Sequence, residues 1–500
     1  MKKYILIVIL FHSLNGLSQN RHSVWCFGDS ALIDFSDTSN IIVGSSGLDT
    51  RGSCASISNQ LGELLFYAFT RAGLGGNTTL VFDSTHQMMQ NGDNIIGRGW
   101  YNELIIVPNP ADDSTYYLFS IGVTSIFGIY YSIIDMRLNG GVGAVVLKNQ
   151  QLNTFEQVDC LSVIKHGNGR DWWMLSRKSD HLTGGSNNDW YIYLVTPDTI
   201  QAMPVQSIGA QNRTNSGRIC FSKTGDKLVF TNLLNVVEVF NFDRCSGLLS
   251  NTLTIESDLG SSPYPFNWSC AFSGDGSKLY ITTNDTLSFL YQYDLNASNI
   301  AASKDTLWST NFPKFACGAL KLAPDNKIYL SNWYYNGSQN PYPYADSMYN
   351  MYNMNLSVIN QPDSLGLACN YTPYSFYLGG KRTYVGLPNN PDYNLGPLVG
   401  NPCDTLVGTS EVLLTIITPQ LNLFYHPECQ TAFINANDLS GTKVTMEIFD
   451  AHGKMVHQED IQIVNGYYTR NFNMTGMAEG MYFVNLISSG QRLTGKLVKY

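Results

Sequence analysis

The residues able to do chemistry are few and scattered. Eight histidines occur in the 500-residue chain, and His22, His86, His166 and His181 fall between residues 19 and 389. None forms the H-x-H or H-E-x-x-H pattern that places two imidazoles on one zinc ion. No G-x-S-x-G elbow and no Asp-x-Asp-x-Asp-Gly calcium loop occurs. No metal and no cofactor are therefore expected. One stretch sets a base, a cation and a carboxylate close together: His166-Gly-Asn-Gly-Arg-Asp171. His166, Arg170 and Asp171 are the catalytic candidates if the chain is a polysaccharide hydrolase or lyase. The plainer alternative is a polar turn.

A second constellation suits binding rather than catalysis. The run Asn332-Trp-Tyr-Tyr-Asn-Gly-Ser-Gln-Asn-Pro-Tyr-Pro-Tyr344 is rich in rings and amides. Rings that stack and amides that hydrogen-bond would suit a sugar, and exposed aromatic loops often bind partners. Trp333, Tyr334, Tyr335, Tyr342 and Tyr344 are the candidates, with Trp268 from Tyr264-Pro-Phe-Asn-Trp268. The alternative is that these rings only cover the edge of a sheet.

A repeat positions both groups. Cys220-Phe-Ser-Lys-Thr-Gly-Asp-Lys-Leu-Val-Phe230 matches Ala271-Phe-Ser-Gly-Asp-Gly-Ser-Lys-Leu-Tyr-Ile281 and Leu322-Ala-Pro-Asp-Asn-Lys-Ile-Tyr-Leu330. Each reads as strand, tight turn, strand, with Gly, Asp and Asn where a hairpin needs a positive φ. Leu65, Tyr117, Trp173, Leu228, Leu279 and Ile328 occupy equivalent places at intervals of 49 to 56 residues. Short antiparallel strands in units of about fifty residues are the signature of a β-propeller. Six units are plain. A seventh is expected from pairing Ser23–Phe35, which lacks a local partner, with the strands near Tyr374–Tyr377 and Arg382–Val385. That pairing would close the ring and hide its sheet edges.

The expected organisation is all-β: a signal peptide at 1–18, a seven-bladed β-propeller at 19–389, a Pro/Gly/Asn-rich linker at 390–418, and a small β-sandwich at 419–500. Within the linker, the apolar run Val412–Ile417 leaves open that part of it packs on the propeller. Lys2 and Lys3, the apolar run Tyr4–Phe11 and Gly16-x-Ser18 make the charged, apolar and cleavable regions of a signal peptide. That run is too short to cross a membrane, and no later run is long enough. Thirty basic against 39 acidic residues give a net charge of −9, which excludes the basic face that nucleic acid requires. Ten cysteines show no C-x-x-C pair. Cys220 and Cys270 sit in apolar strands and read as buried thiols, and Cys26 with Cys54 is the expected bridge.

The C-terminal strands carry the most specific pattern: Met446-Glu-Ile-Phe-Asp-Ala-His-Gly-Lys-Met455, Gly480-Met-Tyr-Phe-Val-Asn485 and Gly495-Lys-Leu-Val-Lys-Tyr500. This resembles the C-terminal sorting domain of the Bacteroidetes type IX (Por) secretion system over 419–500, with Gly480, Tyr482, Gly495, Lys496 and Lys499 as its motif residues. The family's Tyr-Pro-Asn-Pro opening is replaced here by Tyr425-His-Pro-Glu-Cys429. The resemblance implies handling by the type IX machinery and a surface or extracellular destination. The Phe-Ser-x-Asp-Gly-x-Lys-Leu-Tyr run at 272–280 resembles WD-repeat-like and TolB-type blades. Asp followed by Ser or Thr at 113, 198, 285, 305, 346, 363 and 404 resembles the Bacteroidetes O-glycosylation acceptor, with Asx turns as the ordinary alternative. The resulting expectation is an exported, non-enzymatic binding or adhesion module for a glycan or surface protein.

Overall fold

The computed structural model describes residues 20–71, 77–122, 126–257, 266–334, 348–404, 420–427, 430–437, 439, 441–463, 468–489 and 491–500. The signal peptide and Tyr335, Tyr342 and Tyr344 lie outside them. The chain forms two compact units, Met1–Val407 and Gly408–Tyr500.

In the first unit, among the described residues, seven antiparallel sheets follow one another along the chain. Sheet 1 holds Val24–Phe27, Asp29–Asp34 and Ile42–Asp49, and sheet 2 starts at Cys54–Ser58. Sheets 3 to 7 start at Leu104–Asn109, Ser162–Lys165, Gly217–Phe221, Asn267–Phe272 and Cys317–Leu322. From sheet 2 onward each starting strand is innermost, and its neighbours in sequence pair outward in order. The inner strands lean on one another at their starts. Ser53 N donates to Trp100 O, Leu161 N to Asn102 O, Asp159 N to Asn215 O, and Leu320 N to Ser269 Oγ. The starts therefore share one end of the ring, the upper rim, and the hairpins that follow them form the lower rim. This is a β-propeller.

The repeated turns have one geometry. Gly225, Gly276 and Asn326 take the left-handed conformation at φ +73°, +71° and +62°. Each donates its N–H three residues back, to Ser222 O, Ser273 O and Ala323 O. Only residues tolerant of positive φ fit there, which is why the repeat was readable.

Ring closure differs from the expectation. Ser23–Phe35 does have a local partner, because Ile42–Asp49 completes sheet 1. Tyr371–Tyr377 is the outer strand of sheet 7. Of the two expected partners, only Arg382–Val385 closes the ring: Asp29 and Arg382 form an antiparallel bridge. Asp29 N donates to Arg382 O, Ala319 N to Val385 O, and Val385 N to Arg51 O. Arg382 Nε reaches Asp29 Oδ2 at 3.0 Å, and the Trp25 ring meets Tyr329 edge-on at 6.0 Å. Sheet 7 is thus joined to sheets 1 and 2 by side-chain packing and a few backbone bonds rather than by a shared ladder.

The cysteine expectation is also corrected. Cys26 and Cys54 are buried free thiols, and the bridge joins Cys245 to Cys403. Spacing carried no trace of it, since the partners lie 158 residues apart. Cys160, Cys270, Cys317 and Cys369 are also buried and free.

The second unit packs two sheets face to face. Gln420–His426, Thr431–Asn437 and Tyr468–Asn473 form one; Lys443–Asp450, Met455–Gln462, Gly480–Ser488 and Gln491–Lys499 form the other. Ile434, Val444, Met446, Tyr482 and Val484 share its buried core.

Candidate functional site

The central channel is occupied by the chain itself. After Val385, residues 386–389 and the start of the stretch read as linker run down the channel from the upper to the lower rim. Gly386 passes so close to Gly52 that a Cβ on it would lie 2.2 Å from Gly52 O. Asn389 Nδ2 then donates to Leu104 O and Leu161 O at 3.0 and 2.8 Å. Ser56 N donates to Asn390 Oδ1 at 2.9 Å, and Tyr393 Oη to Ile106 O at 2.8 Å. Lower down, Arg244 Nη2 donates to Gly396 O at 2.6 Å and Leu398 N to Gly167 O at 2.8 Å. Cys403 ends the passage in its bridge to Cys245. Pro, Gly and Asn suit this path because they leave backbone carbonyls and amides for sheets that cannot extend their ladders inward.

Buried charges line the route. Lys321 Nζ donates to Asn390 O at 2.8 Å and Lys165 Nζ to Tyr393 O at 3.0 Å. Burial pushes both ammonium groups down to about 8. At the upper rim the Asp159 carboxylate accepts Tyr101 N and Asn102 N at 2.9 and 2.8 Å. Burial, with the Glu103 charge beside it, lifts Asp159 to about 7. Glu103 is itself buried and accepts Gly99 N, Trp100 N and Thr70 Oγ1.

The catalytic candidates sit together in the lower-rim hairpin of sheet 4, and their bonds are spent on that hairpin. Asn168 N donates to His166 Nδ1 at 3.0 Å, which leaves Nε2 to donate to Cys245 O at 3.0 Å. Arg170 Nε donates to Asp171 Oδ1 at 2.7 Å, and Asn168 Nδ2 to Asp171 Oδ2 at 2.8 Å. Asp171 is 5% exposed. This is a turn braced against the disulfide, with the imidazole carrying hydrogen bonds on both nitrogens.

The binding candidates lie at the opposite rim and divide. Trp268 guards the channel mouth: its Nε1 donates to Val385 O at 3.4 Å, and its ring meets Tyr101 at 4.5 Å. Trp333 packs on Phe315 at 6.3 Å. Tyr334 stacks parallel to Tyr352, 5.9 Å apart at 10°, with Phe312 edge-on at 6.2 Å. Phe312, Tyr349 and Met351 are 57%, 46% and 61% exposed. Phe312 belongs to Phe312-Pro-Lys-Phe-Ala316, a loop the sequence also offers as a ligand-facing candidate, whereas Tyr349, Met351 and Tyr352 were missed in the sequence. Tyr349, Met351 and Tyr352 come from the far end of the connection between Ile328–Asn332 and Asn355–Ile359, Phe312 comes from the connection that precedes Cys317–Leu322, and only folding brings them together.

The sorting-domain motif residues occupy the last two strands. Tyr482 Oη donates to Ala478 O at 2.6 Å. Gly495 pairs with Val484, and a Cβ there would lie 2.5 Å from Leu423 of the facing sheet. Lys499 is buried, donating to Met474 O and Met477 O at 2.8 and 2.7 Å, while Lys496 is exposed.

Residues 424–500 match the family model described as a secretion system C-terminal sorting domain. The chain is therefore exported through type IX secretion to the cell surface or the extracellular space. Among the described residues no helix is long and apolar enough to cross a membrane. No curated protein matches the chain. Similar solved structures include a periplasmic gluconolactonase of Pseudomonas aeruginosa (12% identity, 81% of this chain and 98% of that one, TM-score 0.34). A quinonprotein alcohol dehydrogenase-like protein of Bacteroides thetaiotaomicron matches at 12% identity over 68% and 73%, TM-score 0.37. The Cps50 (Swd1) β-propeller domain of Myceliophteria thermophila matches at 12% over 62% and 94%, TM-score 0.35.

Proposed function

We propose that this chain is an exported, seven-bladed propeller that binds a glycan or surface protein through the aromatic patch on its upper rim. The observation that carries the reading is the exposure of Phe312, Tyr349 and Met351 around the stacked Tyr334–Tyr352 pair. Rings left in water at one rim are costly for solubility and give large contact area at low entropic cost when a partner covers them. Asn332 does not take part, since its amide donates to Asn355 O inside sheet 7. The blades are of the WD-repeat-like kind, the source is a Bacteroidetes-type cell, and the sorting domain is the address rather than the working part. The hydrolase or lyase reading is weaker, because His166, Arg170 and Asp171 are bonded to one another's turn.

The test is a glycan array and a pull-down from outer-membrane fractions, run with the mature chain and with a Trp333→Ala/Tyr334→Ala variant. Binding that is saturable and lost in the variant supports the reading. Binding unchanged in the variant sinks the rim as its site.

A further inference from the structure

The threaded segment does not fill the channel. A cavity of roughly 470 Å³ remains beside residues 389–394, within the range that holds small ligands. It runs from Ile105, Val163 and Ala271 in the ring's interior to Thr38, Lys223 and Pro324 at the lower rim. Its charged lining is lopsided. Lys223, Arg218 and Lys321 face it, against the one carboxylate of Asp392. That carboxylate is engaged, accepting Asn394 N at 2.9 Å. No ion pair holds Arg218 or Lys321 among the described residues; Arg218 bonds Asn102 Oδ1, and Lys321 bonds Asn390 O.

Three buried polar atoms of the lining have no hydrogen-bond partner: Arg218 Nε, His22 Nδ1 and Asn394 Oδ1. Arg218 is 6% exposed. Buried polar groups and charges without partners are costly, and folded proteins rarely keep them unless something else meets them. A guanidinium with a free Nε–H beside an ammonium matches an oxyanion. The adjoining His22 and Asn394 can serve hydroxyl groups, each accepting or donating at a single atom.

We infer that this cavity is a binding site for a small organic oxyanion carrying hydroxyls, the anion on Arg218 and Lys321 and the hydroxyls on His22 and Asn394. A uronic acid and a sugar phosphate share this chemistry and fit the volume. The site lies inside the channel and reaches the lower rim, away from the aromatic patch on the upper rim, so it is independent of the macromolecular reading.

The experiment is isothermal titration of the full mature chain with galacturonate, glucose 6-phosphate and, as the neutral control, glucose. The expected result is one-site binding of at least one anion, with glucose at least tenfold weaker. Arg218→Gln or Lys321→Met should weaken the anion tenfold or more. Because those positions are buried, Lys223→Gln at the rim is the companion variant: it leaves the fold intact and weakens binding severalfold. Tighter binding of glucose 6-phosphate than of galacturonate assigns a phosphate, and the reverse a carboxylate. No saturable binding of either anion overturns the inference, as does equal affinity for glucose or an affinity unchanged in the folded variants.

Discussion

Removing the Cys245–Cys403 bridge should cost more than breaking any one hydrogen bond in the channel. The bridge closes a loop of 158 residues. In the chain-entropy description a loop of this size restricts the unfolded chain by about 17 cal/mol/K, or about 5 kcal/mol at 25 °C. That is an upper limit, because native bridges typically return roughly 2–4 kcal/mol. A single channel bond such as Tyr393 Oη to Ile106 O is worth about 1 kcal/mol net. The perturbation is Cys245→Ser with Cys403→Ser, which leaves no lone thiol behind. Urea unfolding of the mature chain is the assay. With a slope of about 3 kcal/mol/M, the propeller midpoint should fall by about 1 M. Limited proteolysis should show the same effect locally: Val399 is already 84% exposed, and cleavage near it should quicken once the end is released. An unchanged midpoint with an unchanged slope, and no new cleavage, would refute the view that the bridge fixes the threaded segment.

Other expectations follow from single groups. Tyr393→Phe leaves the buried Ile106 carbonyl without its donor and should destabilise the propeller by about 1–3 kcal/mol in the same urea assay. Asp159 has its folded value raised to about 7, so between pH 4 and 7 the folded state binds the extra proton. Stability from this group therefore falls as pH rises through that window and levels above it; Asp159→Asn should flatten that slope in melting curves taken from pH 4 to 8. Lys499→Met removes two buried charge-assisted bonds, to Met474 O and Met477 O. It should weaken the sorting domain by about 2–3 kcal/mol, read by thermal melting, and lower the fraction of chain found outside the cell.

The propeller was legible because its signal is local and repeated. The turns at Gly225, Gly276 and Asn326 need one backbone conformation, and the sequence shows the residues that tolerate it at one spacing. The sorting domain was legible because its last strands carry local motifs, Gly480-Met-Tyr482 and Gly495-Lys-Leu-Val-Lys499. Three things were not legible. The third strand of sheet 1, Ile42–Asp49, carries Gly44-Ser-Ser-Gly47 at its centre and has no apolar alternation. From Asn390 on, the threaded segment reads as linker because its contacts, such as Asn390 to Ser56 and Tyr393 to Ile106, are made side chain to backbone and leave no period. The Cys245–Cys403 pair is set by where that segment leaves the channel, which no spacing encodes. At the candidate sites, the sequence offered Trp333, Tyr334 and the loop that begins at Phe312, but not Tyr352, which lies at the far end of the same connection as Tyr334. It also grouped His166, Arg170 and Asp171 without revealing that their hydrogen bonds close on their own hairpin.

The most direct measurement compares three mature proteins on one polysaccharide and glycan panel: the native chain, Phe312→Ala/Tyr334→Ala, and His166→Ala/Arg170→Ala. Binding and product release are both recorded. The account predicts binding without turnover, lost at least tenfold in the rim variant and kept in the turn variant. Product release by the native chain that disappears in the turn variant, with the rim variant unaffected, would contradict it.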